Sequence, residues 1–195
     1  MNKSESINDI VSFDGEQLIL VNDNDEETGT LSKALCHDGD GVLHRAFSLF
    51  IFNDDGQLLL QRRSADKRLW PLFWSNSCCS HPRKGEEIKF AVGRRLQQEL
   101  GMSAELRFVY KFSYQAKFGE LGSEHELCSV FLGRSNQPVV ANETEIAEWR
   151  YISPAQLTDE LNTAPEKFTP WFKMEWSRLN DEYSELLAAC SRERR

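Results

Sequence analysis

One stretch limits the possible folds more than any other. Between residues 86 and 100, Ile88, Val92, Leu96 and Leu100 recur at four-residue steps. That spacing puts them on one helix face, and Gly101 follows where a C-cap glycine belongs. The helix lies between two runs of strand. Before it, 42–52 and 57–63 read as strands joined by Asn53-Asp54-Asp55-Gly56, which has hairpin-turn chemistry. After it, 106–116 alternates, and Leu106, Phe108, Tyr110, Phe112 and Tyr114 are predicted to share one face. Further strands are expected at 124–132 and 149–151. Ser153-Pro154 with Gln156 predicts a capped helix start. Pro170 opens a final helix carrying Trp171, Met174, Leu179, Leu186 and Leu187. Strands, one helix among them, and helices at the end imply an α+β sandwich. The expected organisation is a single domain over 1–195, with its core at about 42–152 and C-terminal helices at about 153–190. Residues 68–82 are expected as a loop, and 1–15 as a loosely held start.

Composition narrows the function. The net charge of -8 disfavours nucleic acid or an anionic membrane as the main partner. Within 62–95, however, nine Lys/Arg face three Asp/Glu. That island is either a site for a small anion or a solvated face. No apolar run reaches the roughly 18 residues a bilayer span needs. The start, Met1 to Ser6, is polar and has no signal-peptide core. Five cysteines make no even disulfide framework, so a reducing, cytoplasmic setting is expected.

Three constellations carry chemistry. The first is built from the four histidines, His37, His44, His81 and His125, with Glu124 and Glu126. The two glutamates stand two apart on a predicted strand and share a face, with His125 on the other. Three imidazoles and two carboxylates can fill a site for Mn²⁺, Mg²⁺ or Zn²⁺. The alternative is a set of ordinary core or surface histidines. The second is Asn76-Ser77-Cys78-Cys79-Ser80-His81-Pro82, where Cys79 stands two residues before a histidine. Such a thiol serves as an acid or nucleophile, or is simply buried. The third is Arg95 with Glu99 on the helix: a phosphate and Mg²⁺ grip, or an i,i+4 salt bridge on a solvated face. Trp70, Trp74, Tyr114 and Trp171 lie near these segments and are either cation-stabilising faces or core.

The order of these features resembles the type I isopentenyl-diphosphate isomerases. It runs His37…His44, Arg62-Arg63 with Lys67, Trp70-Pro71, Trp74, the cysteine loop, Glu99-Leu100-Gly101, Phe112-Ser113-Tyr114, Glu124-His125-Glu126 and Pro170-Trp171. Residues 80–102 also resemble a degenerate Nudix box. The resemblance implies a Nudix-like α/β/α sandwich with a mixed sheet, an N-terminal extension and C-terminal helices. It implies interconversion of isopentenyl and dimethylallyl diphosphate in isoprenoid biosynthesis. Cys79 would be the catalytic thiol and Glu126 the opposing carboxylate, with Tyr114 and Trp171 as aromatic site residues. His37, His44, His81, Glu124 and Glu126 would hold a metal, and Glu99 the Mg²⁺ on the diphosphate. Lys33, Arg63, Lys67 and Arg95 would grip the phosphates. The partner would be the small allylic diphosphate alone, bound by a monomer or weak homodimer. Ser80 departs from the Gly found in many members. A pyrophosphohydrolase of the same fold needs carboxylates where this chain has Arg95 and Gln98. A binding module without catalysis would leave Cys79 no task.

Overall fold

The computed structural model describes residues 8–192. The polar stretch at the extreme N-terminus therefore lies outside the described residues. Chain order begins with a hairpin, β1 (Gln17–Val21) and β2 (Glu27–Ser32), and a single helical turn, α1 (Lys33–Cys36). β3 (His44–Phe52) and β4 (Leu58–Arg63) follow, joined at Gly56, whose φ of 72° suits the turn. Two short strands come next, β5 (Trp74–Ser75) and β6 (Cys78–Ser80). They replace the loop expected at 68–82. Their two or three residues are too few to show a period, and tertiary pairing alone makes them strands. Helix α2 (Ile88–Leu100) ends on left-handed Gly101, as its sequence predicts.

The long strands β7 (Glu105–Lys117) and β8 (Ser123–Arg134) precede β9 (Ile146–Ile152). Helix α3 (Pro154–Thr163) starts on a capping box of Ser153 and Gln156. The expected final helix is two helices, α4 (Pro170–Glu182) and α5 (Ser184–Cys190), parted at Tyr183.

Among the described residues, nine strands form one mixed sheet, with β3 parallel to β8 and the other paired strands antiparallel. β3 is buried on both faces. Phe47, Leu49 and Ile51 pack with Val92, Leu96 and Leu100 of α2. Ala46, Phe50 and Phe52 pack with Leu157, Phe172, Trp176 and Leu179 from the C-terminal helices. The period of two along β3 thus feeds two cores and makes the α/β/α sandwich.

β7 departs from its expected single face. Its register slips between Phe108 and Tyr110, a bulge at Val109. Leu106 packs toward α2, and Phe108 is half exposed with its ring on Phe131. Tyr110, Phe112 and Tyr114 turn to the opposite core. Among the described residues, no helix is long and apolar enough to cross a membrane.

Candidate active site

The register of β3 assembles the site. His44 at its start pairs with Glu126 of the parallel β8, and Ser48 pairs with Cys79 of the antiparallel β6. His37 caps the end of α1, and His81 follows β6. The potential ligand atoms of His37, His44, His81, Glu124 and Glu126 all lie within 4.8 Å of one another. The Nδ1–H of His37 donates to the Lys33 carbonyl at 2.6 Å, and that of His44 to the Val42 carbonyl at 2.7 Å. The Nε2 atoms of both rings therefore face inward. His44 Nε2 is buried and has no hydrogen-bond partner. A buried nitrogen is rarely left so, and a cation is the partner this donor set suits. The five residues fit a divalent metal. His125 points away, as the strand period predicts, with its Nδ1 3.4 Å from the Gly41 carbonyl.

Charges crowd at this cluster. His81 Nε2 lies 2.8 Å from Glu126 Oε1, and Tyr114 donates its hydroxyl to Glu126 Oε2 at 2.6 Å. His37 Nε2 lies 2.8 Å from Glu124 Oε2. Burial, then the neighbouring Glu124 charge, pushes the Glu126 carboxyl up to about 7. Burial alone would also raise Glu124, but His37 outweighs it and holds Glu124 below the usual range. Burial pulls His44 down to about 3. A bound cation would reverse the Glu126 shift and reinforce the other two, because it favours ionised carboxylates and neutral imidazoles.

A cavity of about 430 Å³ opens onto the cluster. Cys79 and Glu126 both line it, together with Tyr114 and Trp171. β6 explains why the second of the vicinal cysteines is the one that reaches the cavity. Alternation turns Cys78 into the core under α2 and Cys79 toward the cavity side. The two do not bridge, and Cys36, Cys78, Cys79 and Cys128 are free thiols. Burial pushes the Cys79 thiol up to about 12, against the pull of Arg63. The thiol therefore keeps its proton at neutral pH. Trp171 is held by its indole N–H, which donates to Ser75 Oγ at 3.1 Å. Trp70 meets it edge-on at 5.3 Å between ring centroids. Trp74 instead lies under the Arg150 guanidinium, away from the cavity lining.

Lys33, Arg63, Lys67 and Arg95 line the cavity, and Arg68 joins them. The basic island therefore divides. Arg63, Lys67, Arg68 and Arg95 reach the cavity, whereas Arg62, Arg83, Lys89 and Arg94 pair with Glu148, Glu16, Glu87 and Glu86. The island is therefore not one uniform face, since part of it lines the cavity and part is engaged in ion pairs elsewhere. Arg95 and Glu99 do form an i,i+4 pair, but at 2% and 1% exposure it is buried rather than solvated. Glu99 is not among the cavity-lining residues. Sequence reasoning passed over Glu145, a buried carboxylate that lines the cavity beside Lys67 and Arg95. No local motif marks it, because its partners lie far away in the chain.

The chain is similar to known proteins over most of its length. The NUDIX domain model matches residues 42–172. The chain is 42% identical over 166 residues to "Isopentenyl-diphosphate Delta-isomerase 1" of Photorhabdus laumondii, covering 84% of this chain and 94% of that one. It is 46% identical over 158 residues to "Isopentenyl-diphosphate Delta-isomerase" of Serratia proteamaculans, covering 80% and 87%. Among solved structures, the MutT protein from Methanosarcina mazei superimposes with a TM-score of 0.61 at 20% identity, covering 72% of this chain and 95% of that one. That likeness speaks to the fold alone. With a NUDIX match over most of its length and relatives this similar, the chain belongs to the isopentenyl-diphosphate delta-isomerase family of NUDIX-domain proteins.

Proposed function

We propose that this enzyme interconverts isopentenyl and dimethylallyl diphosphate. One observation carries the reading: Cys79 and Glu126 line the same cavity, whose wall also holds five cations, Lys33, Arg63, Lys67, Arg68 and Arg95, suited to a diphosphate. The reaction adds a proton to the terminal methylene carbon and removes one from the carbon two positions along. An acid and a base on opposite sides of the chain meet that need. Cys79, protonated at rest, is suited to give a proton, and Glu126 to take one; in the reverse direction the roles exchange. Protonation first makes a tertiary cation, which water would capture in an open site. Trp171 offers it a π face, and Tyr114, bonded to Glu126, is placed to pass the proton. A divalent ion in the His/Glu cluster would fix the Glu126 carboxylate and favour its ionised form.

Lys33, Arg63, Lys67 and Arg95 are read as the phosphate grip, so that remote binding energy positions the hydrocarbon end. Glu99 is read as the carboxylate that meets Mg²⁺ on the diphosphate. Its Oε1 now accepts two bonds from Arg95, so that role requires it to share or release them. Mn²⁺, Mg²⁺ or Zn²⁺ would occupy the cluster. The cavity draws on residues from Lys33 to Trp171, which supports reading the chain as one domain.

The test is turnover of isopentenyl diphosphate with Mg²⁺ in D₂O, followed by NMR. The vinyl signals are expected to fade as deuterium enters the dimethylallyl product. Cys79→Ala and Glu126→Gln, each folded, are expected to lose at least about 100-fold in rate. Near-normal turnover in Glu126→Gln would refute its role, and a parent protein without turnover would refute the function.

A further inference from the structure

Glu145 has no task in the scheme above, yet it sits among the phosphate-gripping cations. Its carboxylate is 4% exposed and lines the cavity. It pairs with Lys67, and its Oε2 lies 3.2 Å from Arg95 Nη2. The Arg95 guanidinium is otherwise engaged: Nε and Nη2 donate to Glu99 at 2.9 and 2.6 Å, and Nη1 to the Val11 carbonyl at 2.7 Å. Arg95 Nη2 thus lies between two carboxylates, one behind it and one at the cavity wall.

The segment bearing Glu145 is built to hold it there. The Glu145 N–H donates to the Asn142 carbonyl, and its own carbonyl accepts from the Ser64 N–H at 2.9 Å. Asn142 is 2% exposed, and its N–H donates to the Glu99 carbonyl at 2.8 Å. The Asn142 side chain also accepts from the Thr144 N–H and hydroxyl at 3.0 and 2.8 Å. This closed turn ties β9's approach to the end of α2 and to the segment after β4.

We propose that Glu145 is a positioning residue for diphosphate binding: its carboxylate bridges Lys67 and Arg95 and holds both cations at the spacing that grips the phosphates. Two cations facing one cavity repel, and a long lysine chain is costly to order. A fixed carboxylate removes both penalties before the ligand arrives. One of the three Lys67 donors serves Glu145, which leaves two for phosphate oxygens. The opposite expectation is equally physical. A carboxylate on the wall of an anion site repels the incoming anion, so its removal would tighten binding. The two expectations differ in sign.

The inference rests on reading the cavity as a diphosphate site, and the experiment separates the two. Binding of inorganic pyrophosphate with Mg²⁺ is measured by calorimetry on the full chain, for the parent, Glu145→Gln, Lys67→Met and the double variant. Parent protein that binds no pyrophosphate refutes the diphosphate reading itself. If the parent binds, Glu145→Gln is expected to weaken pyrophosphate about tenfold. The KM for isopentenyl diphosphate should rise by a similar factor while kcat stays within roughly threefold. The double variant should bind no more weakly than Lys67→Met, because Glu99 and the Val11 carbonyl still hold Arg95 and Glu145 is needed chiefly to order Lys67. Unchanged or tighter binding in Glu145→Gln overturns the proposal, as does a full additional loss in the double variant. Glu145→Asp, which keeps the charge but is too short to bridge, serves if the glutamine variant does not fold. It too should weaken pyrophosphate, and parent-like binding there sinks the idea.

Discussion

Glu175 shows how one buried residue sets a pH dependence. It projects from α4, one turn beyond Trp171, and is fully buried. Its Oε1 accepts from the Cys128 thiol at 3.5 Å, while Oε2 has no partner. Burial pushes the carboxyl up to about 8. The folded protein therefore holds a proton there that the unfolded chain releases above its ordinary value of 4.5. Between those two values the native state binds more protons than the unfolded state. Stability then falls as pH rises, and the penalty reaches its full size above about 8. Glu175→Gln keeps the shape and removes the ionisation. It is expected to stabilise the protein by roughly 1–4 kcal/mol at pH 8.5, with the gain vanishing near pH 4.5. Thermal melts of both proteins across that range check it. A gain that is flat with pH would show that the carboxyl does not titrate in this window.

At the scale of elements, the legible parts were those with a long period and a marked end. Helix α2 shows its face every four residues and stops at Gly101, and α3 announces itself by Ser153, Pro154 and Gln156. The bulge at Val109 was not legible, because Leu106, Phe108, Tyr110, Phe112 and Tyr114 keep an unbroken alternation across it, although Leu106 packs toward α2 and the last three toward the opposite core. The break at Tyr183 was hidden for a similar reason, since Leu179 and Leu187 continue one apolar stripe across it. Nor did spacing reveal that His37, His44 and His81 converge; only the family resemblance implied it. One turn between elements now ties the fold to that cluster. Gly122, between β7 and β8, has φ 143°, and a Cβ there would meet the His37 carbonyl at 2.1 Å. The next residue, Ser123, donates its N–H to that same carbonyl at 3.0 Å. Gly122→Ala must push α1 and the β7–β8 turn apart, carrying His37 from its neighbours. A loss of roughly 1–3 kcal/mol in stability is expected, with reduced metal content per folded protein. Melting curves and metal analysis check both, and full metal content in the variant would show that His37 is not displaced.

The whole molecule converges on the His/Glu cluster. The five side chains able to hold an ion come from α1's end, the start of β3, the residue after β6, and β8. These segments are far apart in sequence and meet only in the folded chain. An ion held by all five therefore binds the native state and not the unfolded one, and its binding energy adds to stability. Without the ion the fold bears two costs: an unpartnered His44 Nε2 and two carboxylates close enough that Glu124 raises Glu126. At a metal concentration 100 times its Kd the linkage is worth about 2.7 kcal/mol. For a chain of this size each kcal/mol moves Tm by roughly 2–4 °C. Exhaustive chelation is thus expected to lower Tm by about 5–10 °C, and a divalent ion added back should restore it. The shift should disappear in His44→Ala, which removes one ligand from the buried centre. If the chelated parent melts where the untreated protein does, at full metal loss, the cluster contributes nothing to holding these four segments together. The convergence would then have to rest on the two apolar cores alone.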